Sequence, residues 1–517
     1  MQKIITILLI FITVKVQAQI PEDAIRYSWL VQSGNARTIG IGGAIGSLGG
    51  DLNATFVNPA GIGFYRTGEF SFSPSFSFNN LKTSFRGSSN NAKQNNFSFG
   101  TTGIVFGIGD RYEDGNDDLT KTGSIAFTQK ANFNNTIYYK GLNNYSSFSE
   151  QFAEEFVRSK LSIRDALNSQ SSVPFTAAPA LFTYLIDTVR VNGILKVKAA
   201  PEYILEAKQA IQQEFTKKTS GGMYELAGSY AINDGKKWLA GLSVGIPIVN
   251  FESNTTVTEN DTSNRTNNYF KSFTYNDTYK TTGAGVNAKI GVIYRPKEYI
   301  RLGLAVHTPS YMVLTDERQA TLKTELENPT GTFDVNSNTF TNGEKGKATY
   351  RQNAPWRVIV SGSYVFREVE DVKKQRGFIA ADIEYVKHSG TKFSSNAETP
   401  VDGDKAYYKE LTSIVKDSYK GAINAKIGGE VKFNTIMARL GFGYYGNPYK
   451  DAPTKASKMV LSGGLGYRNK GFFIDVAYAH LITKDFDVPY RLQNAETVYA
   501  NTNKTTGNVV ATFGVKF

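Results

Sequence analysis

The feature that most constrains this chain is an alternation of apolar and polar residues, period two, that returns repeatedly after Glu69. Phe70, Phe72, Phe76 and Phe78 alternate with Ser71, Ser73, Ser75 and Ser77. Successive side chains of a strand point to opposite faces, so the four rings share one face. The rhythm recurs in Trp238, Ala240, Leu242, Val244, Ile246 and Ile248, in Ile379, Ala381, Ile383 and Tyr385, and in Ile436, Ala438, Leu440, Phe442 and Tyr444. It closes the chain at Val509, Ala511, Phe513, Val515 and Phe517. Fourteen such segments begin near residues 69, 94, 121, 221, 237, 284, 299, 355, 377, 421, 435, 458, 471 and 507. Roughly ten residues with one apolar face suit a membrane-crossing strand, which meets lipid on one side and a lumen on the other. The expected fold is all-β: a transmembrane antiparallel barrel of about 14 strands, whose even count brings both barrel ends to one side of the membrane.

The connections carry the same message. Every second one is tight: Asn233-Asp234-Gly235-Lys236, Arg295-Pro296-Lys297-Glu298, Asn434-Thr435 and Arg468-Asn469-Lys470-Gly471. The others, 141–218, 251–282, 313–350, 387–418 and 482–505, are long and polar. Tight turns at one end and long loops at the other match the periplasmic and extracellular ends of an outer-membrane barrel. Within 141–218, Ser149 to Ala166 and Pro201 to Lys218 read as short amphipathic helices.

Composition removes much of the remaining chemistry. The 517 residues include no cysteine and only three histidines, His307, His388 and His480, so disulfide scaffolds, thiolate metal sites and cysteine nucleophiles are excluded. Beyond residue 18 there is no apolar run of about 18 residues, the minimum for a spanning helix. Residues 1–18, with Lys3, an apolar stretch from Ile4 to Val14 and Val16-Gln17-Ala18, read as a cleaved secretory signal peptide. The formal charge of +12 is dispersed along the chain; nucleic-acid binding would gather it into a stripe. Loops, a water-facing lumen, and contact with outer-membrane lipid and lipopolysaccharide account for it.

Residues 19–68 do not alternate. They are rich in glycine and carry Asn58-Pro59-Ala60-Gly61 together with Ile39, Ile41, Ile45, Leu48, Phe56 and Val57, which points to a compact plug inside the lumen. Ser33-Gly34-Asn35-Ala36-Arg37, Gly42-Gly43-Ala44 and Asn58-Pro59-Ala60-Gly61 resemble the N-terminal hatch of FadL/TodX-type outer-membrane transporters. Gly291 to Pro296 followed by Ile300 to Leu304 resembles a hairpin of the same family, and the chain ends on Phe517 as such barrels do. The resemblance spans 19–517, with 69–517 as the barrel. It implies passive uptake of hydrophobic small molecules, long-chain fatty acids or aromatic hydrocarbons, with no cofactor. It also implies a ligand pocket beside the hatch, assigned here to Ile39, Phe56 and Phe64 with Asn58. Lateral release beside a kinked third strand follows too, with Gly123 as the bend. The alternative is a protein-interaction barrel of a type 9 secretion system, with a secretion-system protein as partner.

Other motifs are weaker. Gly241-Leu242-Ser243-Val244-Gly245 fits G-x-S-x-G, but a nucleophile elbow needs a strand, a sharp turn and a helix, and here the strand pattern runs on. Gly441 to Gly446 fits G-x-G-x-x-G with no helix behind it. Asp114, Asn116, Asp117 and Asp118 form an acidic turn, with Leu119 where a calcium loop needs glycine. No metal site and no enzymatic activity are expected. On the lumen face, Asp382, Glu384, Lys426, Glu430, Arg439 and Asp475 are expected to form a polar network holding the hatch.

Overall fold

The structure is a computed structural model that describes residues 23–109, 119–191, 194–263, 265–266, 268–366, 376–450, 456–493 and 495–517. The leader at 1–18 and the acidic turn at Asp114, Asn116, Asp117 and Asp118 lie outside the described residues.

Fourteen antiparallel strands close into a barrel. β1 is Glu69–Phe72 continued by Pro74–Phe85, β2 is Ser88–Phe99 continued by Thr102–Gly109, and β3 is Thr120–Asn132 continued by Asn135–Asn143. β4, β5 and β6 are Ile211–Asn233, Trp238–Asp261 and Phe270–Lys297. β7 is Ile300–His307 with Tyr311–Glu327, β8 is Gly346–Asn353 with Arg357–Phe366, and β9 is Gly377–Lys387 with Lys392–Ser395. β10 to β14 are Gly421–Phe433, Ile436–Tyr445, Ser457–Asn469, Phe472–Asp487 and Ala500–Lys516. Each strand pairs with its neighbour in the chain. β14 returns to β1 through Glu69↔Lys516 and Phe70↔Val515, which leaves no edge at the closure.

Alternation sorts residues between lipid and lumen. In β11, Leu440 is 74% exposed outward while the adjacent Arg439 is 2% exposed. A charge at that position lies inside and an alkyl chain outside, the arrangement a lipid-embedded wall requires. Aromatic pairs mark both rims of the outer band: Trp238 with Tyr294 at 4.4 Å and Tyr299 with Tyr364 at 5.4 Å near the tight turns, and Trp356 with Tyr385 at 5.6 Å at the far rim. The tight turns are built locally. Gly235 sits at φ 72°, and the Asp234 carboxylate accepts from the backbone N–H of Lys236, Lys237 and Trp238.

Two of the regions expected as long loops, 251–282 and 313–350, are largely strand. β4, β5 and β6 hold 23, 24 and 28 residues, and at about 3.3 Å per residue they extend well beyond a lipid band of about 25 Å. Above that band, stretches such as Ser253-Asn254-Thr255-Thr256 are polar on both faces, which erases the alternation that marks a strand in sequence. The helices expected in 141–218 are corrected accordingly. Glu150–Ser159 is helical, ends at a left-handed Lys160, and is followed by the short helix Ile163–Ala166. Of Pro201 to Lys218 only Glu202–Glu206 is helical, and β4 begins at Ile211. Ile211 and Phe215 fit a helical i, i+4 spacing equally well, but with the buried Gln213 they form one face of β4. A helix that the sequence reading did not pick out, Asp402–Ser418, lies across the long-loop end and buries Leu411 and Val415.

Candidate functional site

Residues 23–68 fill the lumen and bond to the wall on every side. Ala36 N donates to Thr512 Oγ1, Gly42 N to Ser462 Oγ, and the Thr55 hydroxyl meets those of Ser124 and Ser229. The Asn58-Pro59-Ala60-Gly61 motif forms a tight corner of this plug. Asn58 Nδ2 donates to the Gly46 carbonyl at 2.6 Å and to the Val292 carbonyl at 3.4 Å, while its Oδ1 accepts from Ala60 N at 3.2 Å. Wall glycines make room for plug backbone. A Cβ on Gly291 would lie 1.9 Å from Asn58 Oδ1, one on Gly241 2.4 Å from the Pro59 carbonyl carbon, and one on Gly441 2.1 Å from Gly42 N. The G-x-S-x-G and G-x-G-x-x-G matches are therefore seats for the plug. Ser243 lies on the uninterrupted strand β5, which has no elbow.

The six charged residues expected as one network fall into two clusters. In the first, Asp382 accepts from the backbone N–H of Ile45 at 3.1 Å and Gly46 at 3.0 Å, while Glu384 pairs with Lys426 at 3.1 Å and Arg357 at 3.0 Å. In the second, Arg439 bonds Glu430 and Asp475, both at 2.6 Å, and Arg37 of the plug lies 3.7 Å from both Glu430 and Asp51. A third cluster escaped sequence reasoning: Glu225 of β4 binds Lys289 of β6, and Lys130 of β3 lies 3.4 Å from it. Its signal is present in the alternation Met223, Glu225, Ala227, where one acid interrupts a buried face. Buried charges persist when paired and hydrogen-bonded, and here the partners bridge plug to wall or strand to strand.

A cavity of about 550 Å³ lies beside the plug. Ile25, Trp29, Leu30 and Ile39 of the plug face Phe99, Phe133, Phe251, Val460 and Leu481 of the wall across it. Of the three residues assigned to a pocket, Ile39 lines this cavity. Phe56 is buried beneath it, one side chain away, with Lys130 Nζ 5.7 Å from its ring. Phe64 lies elsewhere, under the Arg301 guanidinium at 4.4 Å and beside Leu239 and Ile293. Asn58 holds the plug corner and does not line the cavity.

The cavity reaches a break in the barrel wall. β2 and β3 pair from Thr102↔Phe127 to Gly109↔Thr120. Past Phe99 the ladder between them ends: Ser88–Phe99 pairs with β1, Asn135–Asn143 pairs with β4, and no ladder joins the two among the described residues. Three side-chain bonds bridge the seam: Phe99 N donates to Gln129 Oε1 at 3.3 Å, Thr136 Oγ1 to Gln94 Oε1 at 3.1 Å and Asn96 Nδ2 to the Asn134 carbonyl at 3.5 Å. The kink in β3 lies at 129–134, where the register with β4 slips between Gln129 and Ala131. Gly221 of β4 accommodates it at φ 95°, accepting from Phe133 N at 3.0 Å. The expected bend at Gly123 is corrected, since Gly123 sits in regular ladders with Phe106 and Tyr230. The run Asn132-Phe133-Asn134-Asn135, in which turn-forming residues end an alternating stretch, coincides with the kink and was not read as one in the sequence. Outside the seam, Phe72, Phe97 and Phe99 form an exposed aromatic patch, with Phe97 and Phe99 centroids 5.0 Å apart.

No protein-family model matches the chain, and no curated protein matches it. Solved structures do. The toluene transporter TodX of Pseudomonas putida aligns over 94% of this chain and 99% of its own at 13% identity, with a TM-score of 0.51. A deltaS2 mutant of the TodX monoaromatic hydrocarbon channel aligns over the same shares at 12% identity and 0.50. A Pseudomonas aeruginosa FadL homologue aligns likewise at 13% identity and 0.49. At such identities the likeness is one of architecture: this chain is a closed fourteen-strand antiparallel barrel whose fold is like that of the TodX channel.

Proposed function

We propose that this barrel carries hydrophobic small molecules passively across the bacterial outer membrane. In this reading the ligand is held in the cavity beside the plug and released sideways, through the seam between β2 and β3. The observation that carries the reading is the continuity of one largely apolar cavity, from the plug residues Trp29, Leu30 and Ile39 to the broken ladder at Phe99 and Phe133. A water-filled pore offers an apolar solute no favourable surface, whereas a cavity lined by alkyl and aromatic side chains does, at about 25 cal/mol per Å² removed from water. The plug closes the axial route, and the phenylalanine patch outside the seam offers an apolar landing toward lipid. TodX, of like fold, is a toluene transporter, which favours ligands of this general kind. The lipid and lipopolysaccharide around the barrel are then the donor and acceptor phases, and the plug clusters at Asp382 and Arg439 set how firmly the axial route stays shut.

The test is binding of a fluorescent hydrophobic probe to the full chain in lipid nanodiscs, with Ile39→Trp and Val460→Trp filling the cavity. The expected result is at least a tenfold loss of probe affinity in each variant, with barrel closure unchanged by heat-modified electrophoretic mobility. Unchanged affinity in both variants would contradict the reading.

A further inference from the structure

We infer that the outer wall of the barrel carries a seat for the phosphorylated sugar head group of a glycolipid in the outer leaflet, made by Lys82, Lys93 and Lys484 with the asparagines beside them. The inference takes the outer-membrane setting from the proposed function and is independent of what the cavity carries, since none of the three lysines lines it.

The strand register builds the seat. Asn91 of β2 is paired with Lys82 of β1, Lys82 with Asn503 of β14, and Asn503 with Lys484 of β13, so the four form one cross-strand row. All four are exposed, on the same outward face as Phe76 and Phe78. One row nearer the lipid band come Lys93, Asn80, Thr505 and Ile482. Asn95, Phe78, Gly507 and His480 follow, with Tyr478 Oη 3.3 Å from His480 Nδ1. The row after that is Phe97, Phe76, Val509 and Tyr478, within the band itself. One face thus passes from rings to amides and ammonium groups, the order in which a lipid presents its acyl chains and its head group.

The charges of this face are not balanced within the protein. Lys82, Lys93 and Lys484 make no ion pair or hydrogen bond among the described residues, and none of the positions in these four rows is acidic. The wall from β3 to β8 is built differently. There Lys140 is in register with Glu214, Lys280 with Glu252 and Glu317, and Lys347 with Glu317. Strands about 4.8 Å apart place Lys82 and Lys484 about 10 Å from each other, and Lys82 and Lys93 are diagonal neighbours, about 7–8 Å apart. One phosphate is therefore within reach of Lys82 and Lys93 together, and a second within reach of Lys484. Asn91 and Asn503 offer amide donors and acceptors to sugar hydroxyls. A soluble anion would find the lysines but leave the apolar rows beneath them unused.

The experiment titrates the full chain in detergent micelles with three lipids, read by native mass spectrometry: lipid A carrying its phosphates, the same lipid A with them removed, and phosphatidylglycerol. Wild-type protein should hold phosphorylated lipid A about tenfold or more tightly than either of the others. Lys82→Gln, Lys93→Gln and Lys484→Gln combined should abolish that preference, and arginine at the same three positions should retain it. The combination Lys140→Gln, Lys280→Gln and Lys347→Gln removes as much charge from the other wall and should also retain it. Equal losses in the two glutamine variants, or no loss in the first, overturn the seat. Phosphatidylglycerol bound as tightly as phosphorylated lipid A overturns the choice of a glycolipid. Both glutamine variants should bind a hydrophobic probe as the wild type does, which shows them folded. Wild-type protein that binds lipid A as expected but no probe contradicts the uptake reading and leaves the seat standing.

Discussion

Single residues decide how plug and wall fit. The close approach of Gly441 to plug backbone leaves no room for a side chain, so Gly441→Val forces plug or strand to move. Overpacking of this kind costs about 1–3 kcal/mol, and the expected outcome is a lower urea midpoint with the plug newly open to protease, while Gly123→Val, at a wall position where an added Cβ would lie 3.9 Å from the Ser229 carbonyl oxygen in ordinary contact, leaves both unchanged. Asp382 makes a second, chemically different hold: its carboxylate receives two consecutive plug N–H groups. Asp382→Asn keeps the shape and removes the charge, and a loss of about 1–3 kcal/mol is expected for bonds to a charged acceptor. Hydrogen exchange at Ile45 and Gly46 checks it, since those amides should exchange faster while the rest of the barrel keeps its protection. Both positions were legible in part. Alternation placed Asp382 on the inner face, but no sequence pattern says that a wall glycine faces a plug carbonyl, because such contacts join residues hundreds of positions apart.

At the scale of elements, the sequence discloses strands where lipid enforces contrast and conceals them where water bathes both faces. The apolar halves of β9, β11 and β14 are evident from alternation. The polar outer halves of β5 and β6 are not, and neither is the kink in β3, which is set by packing against Gly221 and the plug. The outer layer above the lipid band has its own buried core of Phe85, Tyr139, Phe148, Phe152, Phe215 and Tyr490. It also contains two acids that burial pushes up to about 7, Glu259 and Glu150. Glu259 accepts from the Ser147 hydroxyl, Phe148 N and the Gln213 amide, and Glu150 from Ser147 N. The folded values lie above the usual 4.5, so the fold binds more protons than the unfolded chain between those pH values. The stabilisation is complete below about pH 4.5 and is lost as pH rises through about 7, a change on the order of 2–3 kcal/mol for the fully buried Glu259. Hydrogen exchange of the helix Glu150–Ser159, corrected for intrinsic rates, should be slower at pH 5 than at pH 8. Glu259→Gln should flatten most of that difference; an unaltered difference would assign it to other groups.

In the whole molecule, under the proposed function, a closed barrel, a plug bonded on all sides, a cavity beside the plug and a seam in the wall make one path. Because the plug fills the axis, planar bilayers containing the protein should show little steady ion conductance, whereas deleting residues 23–68 should open a conducting pore. The path itself is tested most directly at the seam. The chain has no native cysteine, so Gln94→Cys with Thr136→Cys places a clean thiol pair where side chains already meet across the break. Uptake of a hydrophobic probe by cells expressing this variant should fall to background when the pair is joined by a short crosslinker or disulfide, and a disulfide-locked barrel should recover on reduction. Uptake that continues unchanged with the seam locked would contradict lateral release and with it the central claim.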